Sequence, residues 1–175
     1  MDVKYIISQL FVVMGMFCLG MSYLAKDKKK IMIFCVFSSL FYGSQYLVLG
    51  AISGFTMNIV SIIRNIWFYL NAKANKKNDI NVFIILCAFS IIIGVFSFDG
   101  IFSILPVIIT IIFTYSVWQD NNKVYRLLAL PMSIMWIIYS IYCQSLFGII
   151  AESILLILEI IAVIKIYQKN SRLYS

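Results

Sequence analysis

Two carboxylates lie where an apolar helix would not ordinarily carry charge. Glu152 and Glu159 are seven residues apart in the hydrophobic run from 146 to 167. Seven residues are two helical turns, so both side chains share one face. Asn58 and Asn65 repeat that spacing in an earlier run, with Arg64 beside them. Three kinds of chemistry suit such acids. They could hold a cation or a proton, or accept hydrogen bonds from a polyol or sugar. They could also be satisfied internally, with Arg64 paired to Glu159 or to Glu152. An ionised group inside a bilayer is costly and faces the protein interior or a water-filled path. Arg64 points about 100° away from Asn65 on its helix, which turns it toward a helix interface.

Other residues share these depths. Counting about 1.5 Å per residue from the outer ends of the spans, Tyr42, Asn58, Trp136 and Glu152 lie about 10 Å deep. Asn65 and Glu159 lie about 20 Å deep, with Ser39 and Ser133 between the two layers. Two polar layers along one axis resemble a solute path, to which Gln45 and Tyr139 also belong by position. Trp136 and Tyr42 could stack on a ring-shaped solute or serve ordinary helix packing. Pro106 and Pro131 are hinge candidates, since each removes a backbone hydrogen bond; a static kink is the other reading. The Gly50-x-x-x-Gly54 spacing falls at a turn and reads as a loop feature. Without a histidine, and with no phosphate loop or nucleophile elbow in sight, no enzymatic activity is expected.

These residues must be positioned by membrane helices. Of the 175 residues 63% are hydrophobic and only 12% charged, too little polar surface to cover a water-soluble core. About 20 apolar residues cross a bilayer core as a helix. Seven such spans are predicted, over 5–24, 31–49, 52–72, 80–96, 101–118, 124–143 and 146–167, so the expected fold is all-α in a single membrane domain.

The net charge of +7 is concentrated in short loops. Lys26, Lys28, Lys29 and Lys30 follow the first span. Lys73, Lys76 and Lys77 follow the third, Lys123 and Arg126 the fifth, and Lys169 and Arg172 the last. All fall on one side for seven spans, which places the N-terminus outside and the C-terminus in the cytosol. The basic charge therefore reads as topogenic, with the lipid bilayer as partner and no role for nucleic acid. Cys18, Cys35, Cys87 and Cys143 form no Cys-x-x-Cys pair, so no metal site or other cofactor is expected. The first span has no small-residue cleavage site after it and reads as a retained helix.

A repeat underlies the spans. Aligning Gly54 with Gly148, an offset of 94, places Ser39 on Ser133, Tyr42 on Trp136, Asn58 on Glu152 and Asn65 on Glu159. The predicted organisation is a three-helix bundle over 5–72, a linking helix over 80–96 and a second, parallel three-helix bundle over 101–167. Gln9, Gly15, the turn from Leu49 to Gly54, the Arg64–Asn65 pair, Pro106, Arg126, Trp136-x-x-Tyr139 and Ser145-x-x-Gly148 before Glu152 resemble the YgjV-type bacterial inner-membrane proteins. The spacing of Pro131, Trp136, Tyr139, Gly148 and Glu152 is more distantly similar to the SWEET and PQ-loop transporter superfamily. The resemblance implies transport or facilitated passage of a small solute. The alternative reading of the residues is a non-transporting membrane protein, an assembly factor, receptor or immunity-type partner, with the acids satisfied internally by Arg64, Asn58 and Asn65. Two features depart from it. Gln45 stands where the YgjV type leads one to expect a histidine. Only two helices carry prolines, whose first-half counterparts are Val12 and Phe37.

Overall fold

Helices form where the apolar runs predict them, and local chemistry fixes their ends. The computed structural model describes residues 3–25, 27–119 and 121–171, without the side chains of 122 and 165–171. Lys26 and Arg172 lie outside the described residues, as do the side chains of Tyr167 and Lys169. Seven α-helices are present and no strand is found among the described residues. They are α1 (Val3–Leu24), α2 (Lys28–Val48), α3 (Ile52–Lys73), α4 (Ile80–Phe96), α5 (Ile104–Trp118), α6 (Asn122–Tyr142) and α7 (Leu146–Ser171), with a 3-10 turn over Ile101–Ser103.

Five of these stretches are long and apolar enough to cross a bilayer, the 3-10 turn counted together with α5. The other two fall short for plain reasons. α4 has 17 residues, and α3 is long enough but carries Asn58, Arg64 and Asn65. Asp27, Asp79 and Asn121 cap α2, α4 and α6 by accepting the backbone N–H two residues on, which satisfies a donor the helix itself leaves unpaired. Gly50, Asn75 and Gln144 end α2, α3 and α6 in the left-handed conformation, with φ of 74°, 52° and 53°. The backbone N–H of the next residue then bonds back five residues, closing the helix end.

The local geometry recurs at an interval of 94 residues. α1 and α5 end, and α2 and α6 begin, 94 residues apart, as do the starts of α3 and α7. The turn bonds pair off in the same way. Ala51 N–H donates to Tyr46 O and Ser145 N–H to Ser140 O, both at 2.9 Å. Ile31 N–H donates to Asp27 O and Tyr125 N–H to Asn121 O, both at 3.0 Å.

α2 packs on α1 and α3, and α6 packs on α5 and α7. The two groups meet along α1–α7 and α3–α5, and α4 lies on α3 and α5. The interior combines apolar clusters, around Met32 and Phe68 and around Val12 and Tyr139, with an unusual share of polar groups. Serines, asparagines, Gln45, Arg64, Glu152 and Glu159 are buried, while large apolar side chains such as Phe17, Ile85 and Phe96 are exposed. With lipid outside, apolar burial drives little, and packing and hydrogen bonding hold the helices together.

Candidate functional site

A subset of the buried polar residues, Ser38, Asn58, Arg64, Asn65, Thr110, Ser133 and Glu152, lines a cavity of about 70 Å³ between the two helix groups. Its walls come from six helices, and among the described residues α4 supplies none of them. Polar positions at helical spacing make this wall. On α2 the face runs Cys35, Ser38, Ser39, Tyr42; on α3 it runs Asn58, Ser61, Arg64, Asn65. Thr110 of α5, Ser133 and Trp136 of α6 and Glu152 of α7 close the ring. The space accommodates a few water molecules.

Three buried polar atoms on this wall have no hydrogen-bond partner within 3.5 Å among the described residues: the Tyr42 hydroxyl, Asn65 Nδ2 and Glu152 Oε2. The Tyr42 and Glu152 side chains are close enough to each other to interact. Tyr42 is 8% exposed, Asn65 0% and Glu152 4%. An orphaned buried polar group costs on the order of 1–3 kcal/mol, so water or a ligand in the cavity is the natural partner. Two of the three can donate and one accepts. The Tyr42 ring reaches the cavity because it packs on Gly15, where a Cβ would sit 3.1 Å from it. Asn58 is held differently, its Nδ2 donating to Gly54 O on its own helix at 2.8 Å.

Arg64 crosses from α3 to α5 while also lining the cavity. Nε donates to Asn65 Oδ1 at 3.1 Å, and Nη1 to Thr110 O at 3.3 Å and Thr114 Oγ1 at 3.4 Å. Its guanidinium lies 4.3 Å from the centre of the Phe113 ring. These partners are all uncharged, so the expected pairing with Glu159 or Glu152 gives way to a fork spread over a helix carbonyl, a threonine and an aromatic face. Glu159 lies outside the cavity wall. The Ser133 hydroxyl is 3.0 Å from both of its oxygens and donates to them.

Gln45 and Tyr139 are fully buried but line no part of this cavity. They tie helix ends together near the turns that carry no basic residue. Trp136 does line it, with one face already stacked on Tyr46 at 5.6 Å and 16°. Tyr139 meets the same ring edge-on at 5.8 Å, and the two contacts leave less of Trp136 for a solute. Pro131 sits inside α6, where a missing N–H opens the helix. Pro106 lies in the first turn of α5, where the helix asks for no donor, so the kink argument for it lapses.

Sequence reasoning missed Tyr46, Ser38, Ser61, Thr110 and Phe113. Ser61 carried a signal, standing three residues after Asn58 and four before Asn65 on one helical face. Thr110 carried none, because a threonine in an apolar helix ordinarily bonds its own backbone, as Thr110 also does to Pro106 O.

No curated protein and no solved structure matches the chain. The model of the bacterial inner membrane protein family Imp-YgjV matches residues 6–170, nearly the whole sequence and every wall of the cavity, and the protein belongs to that family.

Proposed function

We propose that the protein is a transporter or facilitator for a small polar solute, a sugar, polyol or other small metabolite, in the bacterial inner membrane. The observation that supports this best is the set of three unpartnered polar atoms around one buried cavity. In this reading all seven helices span, the N-terminus is outside and the C-terminus cytosolic, as the basic loops favour. The helices form two parallel bundles, α1–α3 and α5–α7, linked by α4; the 94-residue recurrence of helix ends and turn bonds supports it. The cavity then lies between equivalent halves, and transport proceeds as the halves rock around it. At about 70 Å³ it represents a closed state that must widen to admit a sugar. Glu152 is the proposed site for coupling to a proton, and the chain performs no catalysis.

The small volume favours a second reading, a non-transporting membrane protein such as an assembly factor, receptor or immunity-type partner. Thermal unfolding of the detergent-purified protein against sugars, polyols, amino acids, nucleosides, vitamins and cations separates the two. Binding to the folded state raises the midpoint with the logarithm of ligand excess. A hit that Glu152→Gln abolishes is expected. Absence of any hit, together with no labelling by a water-soluble thiol reagent at single cysteines placed along the Glu152 face, would overturn transport in favour of the second reading.

A further inference from the structure

The two helix groups meet along two seams, α1–α7 and α3–α5. At the 94-residue offset α1 corresponds to α5 and α7 to α3, so the seams are equivalent. They are not equally covered. α4 lies on α3 and α5 and closes that seam on its outer side. Along α1–α7 there is instead an open groove of about 640 Å³.

The groove is apolar almost throughout. Met16, Phe17 and Gly20 of α1 face Ile154, Leu158 and Ile161 of α7. Phe17 is 67% exposed and Leu158 49%. Gly20 forms an open stretch of wall, because a Cβ built there meets nothing within 4 Å. On α1 the lining runs from Met16 to Leu24 and on α7 from Ile154 to Ala162. Each stretch is eight residues of rise, about 12 Å. One leaflet of a hydrocarbon core about 30 Å thick is about 15 Å deep.

Among the described residues one charged side chain lines the groove. Arg126, near the start of α6, lies at its basic end, the end of Lys28, Lys29, Lys30 and Lys123. Its Nη2 donates to the carbonyl of Tyr23 at 3.3 Å, which fixes the guanidinium against α1. Arginine presents five donors in a planar fork, a geometry suited to phosphate. An apolar slot one leaflet deep, ending at a fixed arginine among lysines, matches a lipid that carries a negative phosphate.

We propose that the α1–α7 seam binds an anionic phospholipid, one acyl chain lying in the groove and the phosphate on Arg126. The lipid does on this seam what α4 does on the other, and it sits where the two halves meet. The proposal does not depend on what passes through the cavity.

The test is native mass spectrometry of the detergent-purified full chain with equal amounts of dioleoylphosphatidylglycerol and dioleoylphosphatidylcholine. Phosphatidylcholine carries the same phosphate but balances it with a quaternary ammonium, so the comparison reads net headgroup charge. One arginine near an anionic headgroup is worth about 1 kcal/mol, so retention of the anionic lipid should be about fivefold greater. Arg126→Gln should abolish the preference while leaving some retention of both lipids, and Arg126→Lys should keep part of it. Gly20→Leu, placed in open space with Arg126 intact, should expel both lipids. Equal retention by the natural sequence, a preference that survives Arg126→Gln, or lipid that persists in Gly20→Leu would each overturn the proposal. So would a lipid-free dimer broken by Gly20→Leu, which would assign the groove to a second copy of the chain.

Discussion

Gln45 and Tyr139 stand 94 residues apart, and each bonds across to the start of the other group's last helix. Gln45 Nε2 donates to Ser145 Oγ at 2.8 Å, and that oxygen accepts from Gly148 N–H at 3.2 Å. The Tyr139 hydroxyl accepts from Gly54 N–H at 2.9 Å and shares a hydrogen bond with Ser53 Oγ at 2.7 Å. Together they cross-brace the end of the molecule opposite the basic loops. Tyr139→Phe keeps the ring and removes both bonds. It should lower stability by about 1 kcal/mol, within the range for hydrogen bonds between membrane helices. Gln45→Leu should cost a similar amount. Thermal midpoints of the two single variants and of the double variant check this. An unchanged midpoint in Tyr139→Phe would show that the brace carries no stability.

Two glycines should respond to alanine in opposite directions. A Cβ on Gly54 would fall 2.8 Å from the Tyr46 ring and 2.9 Å from Tyr139, both held in a packed aromatic cluster. Gly54→Ala should therefore destabilise by about 1–3 kcal/mol through overpacking. Gly20 faces open space, and Gly20→Ala should stabilise by up to about 1 kcal/mol through helix propensity. Parallel denaturation of the two variants makes the comparison, and a loss in both would refute the contrast.

Arg64 should not tolerate lysine. Lysine keeps the charge but loses the planar fork on Thr110, Thr114 and Asn65 and the flat contact with Phe113. Arg64→Lys is expected to lower stability by about 2 kcal/mol, given a desolvated cation–π contact and weakened hydrogen bonds. Thr114→Val removes the longest of these bonds, together with the Thr114 hydroxyl's own bond to Thr110 O on the same helix at 2.6 Å, and should still cost less than Arg64→Lys. Equal effects from the two would mean that the fork is unimportant.

Glu152→Gln tests coupling directly. The amide preserves shape and cannot exchange a proton. Its titratable surroundings are Tyr42 and Glu159, and Arg64 lines the same cavity. In proteoliposomes the natural sequence should take up its solute at a rate that depends on pH, and the variant at a rate that does not. Purified protein should unfold within a few degrees of the natural sequence. Uptake by the variant that still follows pH would remove Glu152 from any proton pathway.

Much of the helical frame was legible because hydropathy and helix length are coupled by bilayer thickness. The predicted spans and the observed helices end within three or four residues of one another. The cavity wall was legible in part, since Asn58, Asn65, Glu152 and Tyr42 are conspicuous among apolar neighbours. Counting residues gives depth along a helix but not the direction a side chain takes in the assembled bundle. That is why Glu159 reads as part of the path and instead rests on Ser133. It is also why Gln45 and Tyr139 read as lining and instead brace the helix ends. Arg64 posed the opposite problem, because its partners are a carbonyl and an aromatic face that no charge pattern reveals.

α4 adds nothing to the cavity wall and rests on α3 and α5 alone among its main contacts. In the proposed arrangement its contribution is one of parity. A segment that crosses three times finishes on the far side, so a second copy joined directly to it would be threaded upside down during synthesis. One extra crossing restores the starting side, and Lys123 and Arg126 then meet the same face of the membrane as Lys29 and Lys30. Such a helix is held to a length and an oiliness more than to particular side chains. Its sequence is where this chain can drift most freely over generations without disturbing what the other six helices enclose.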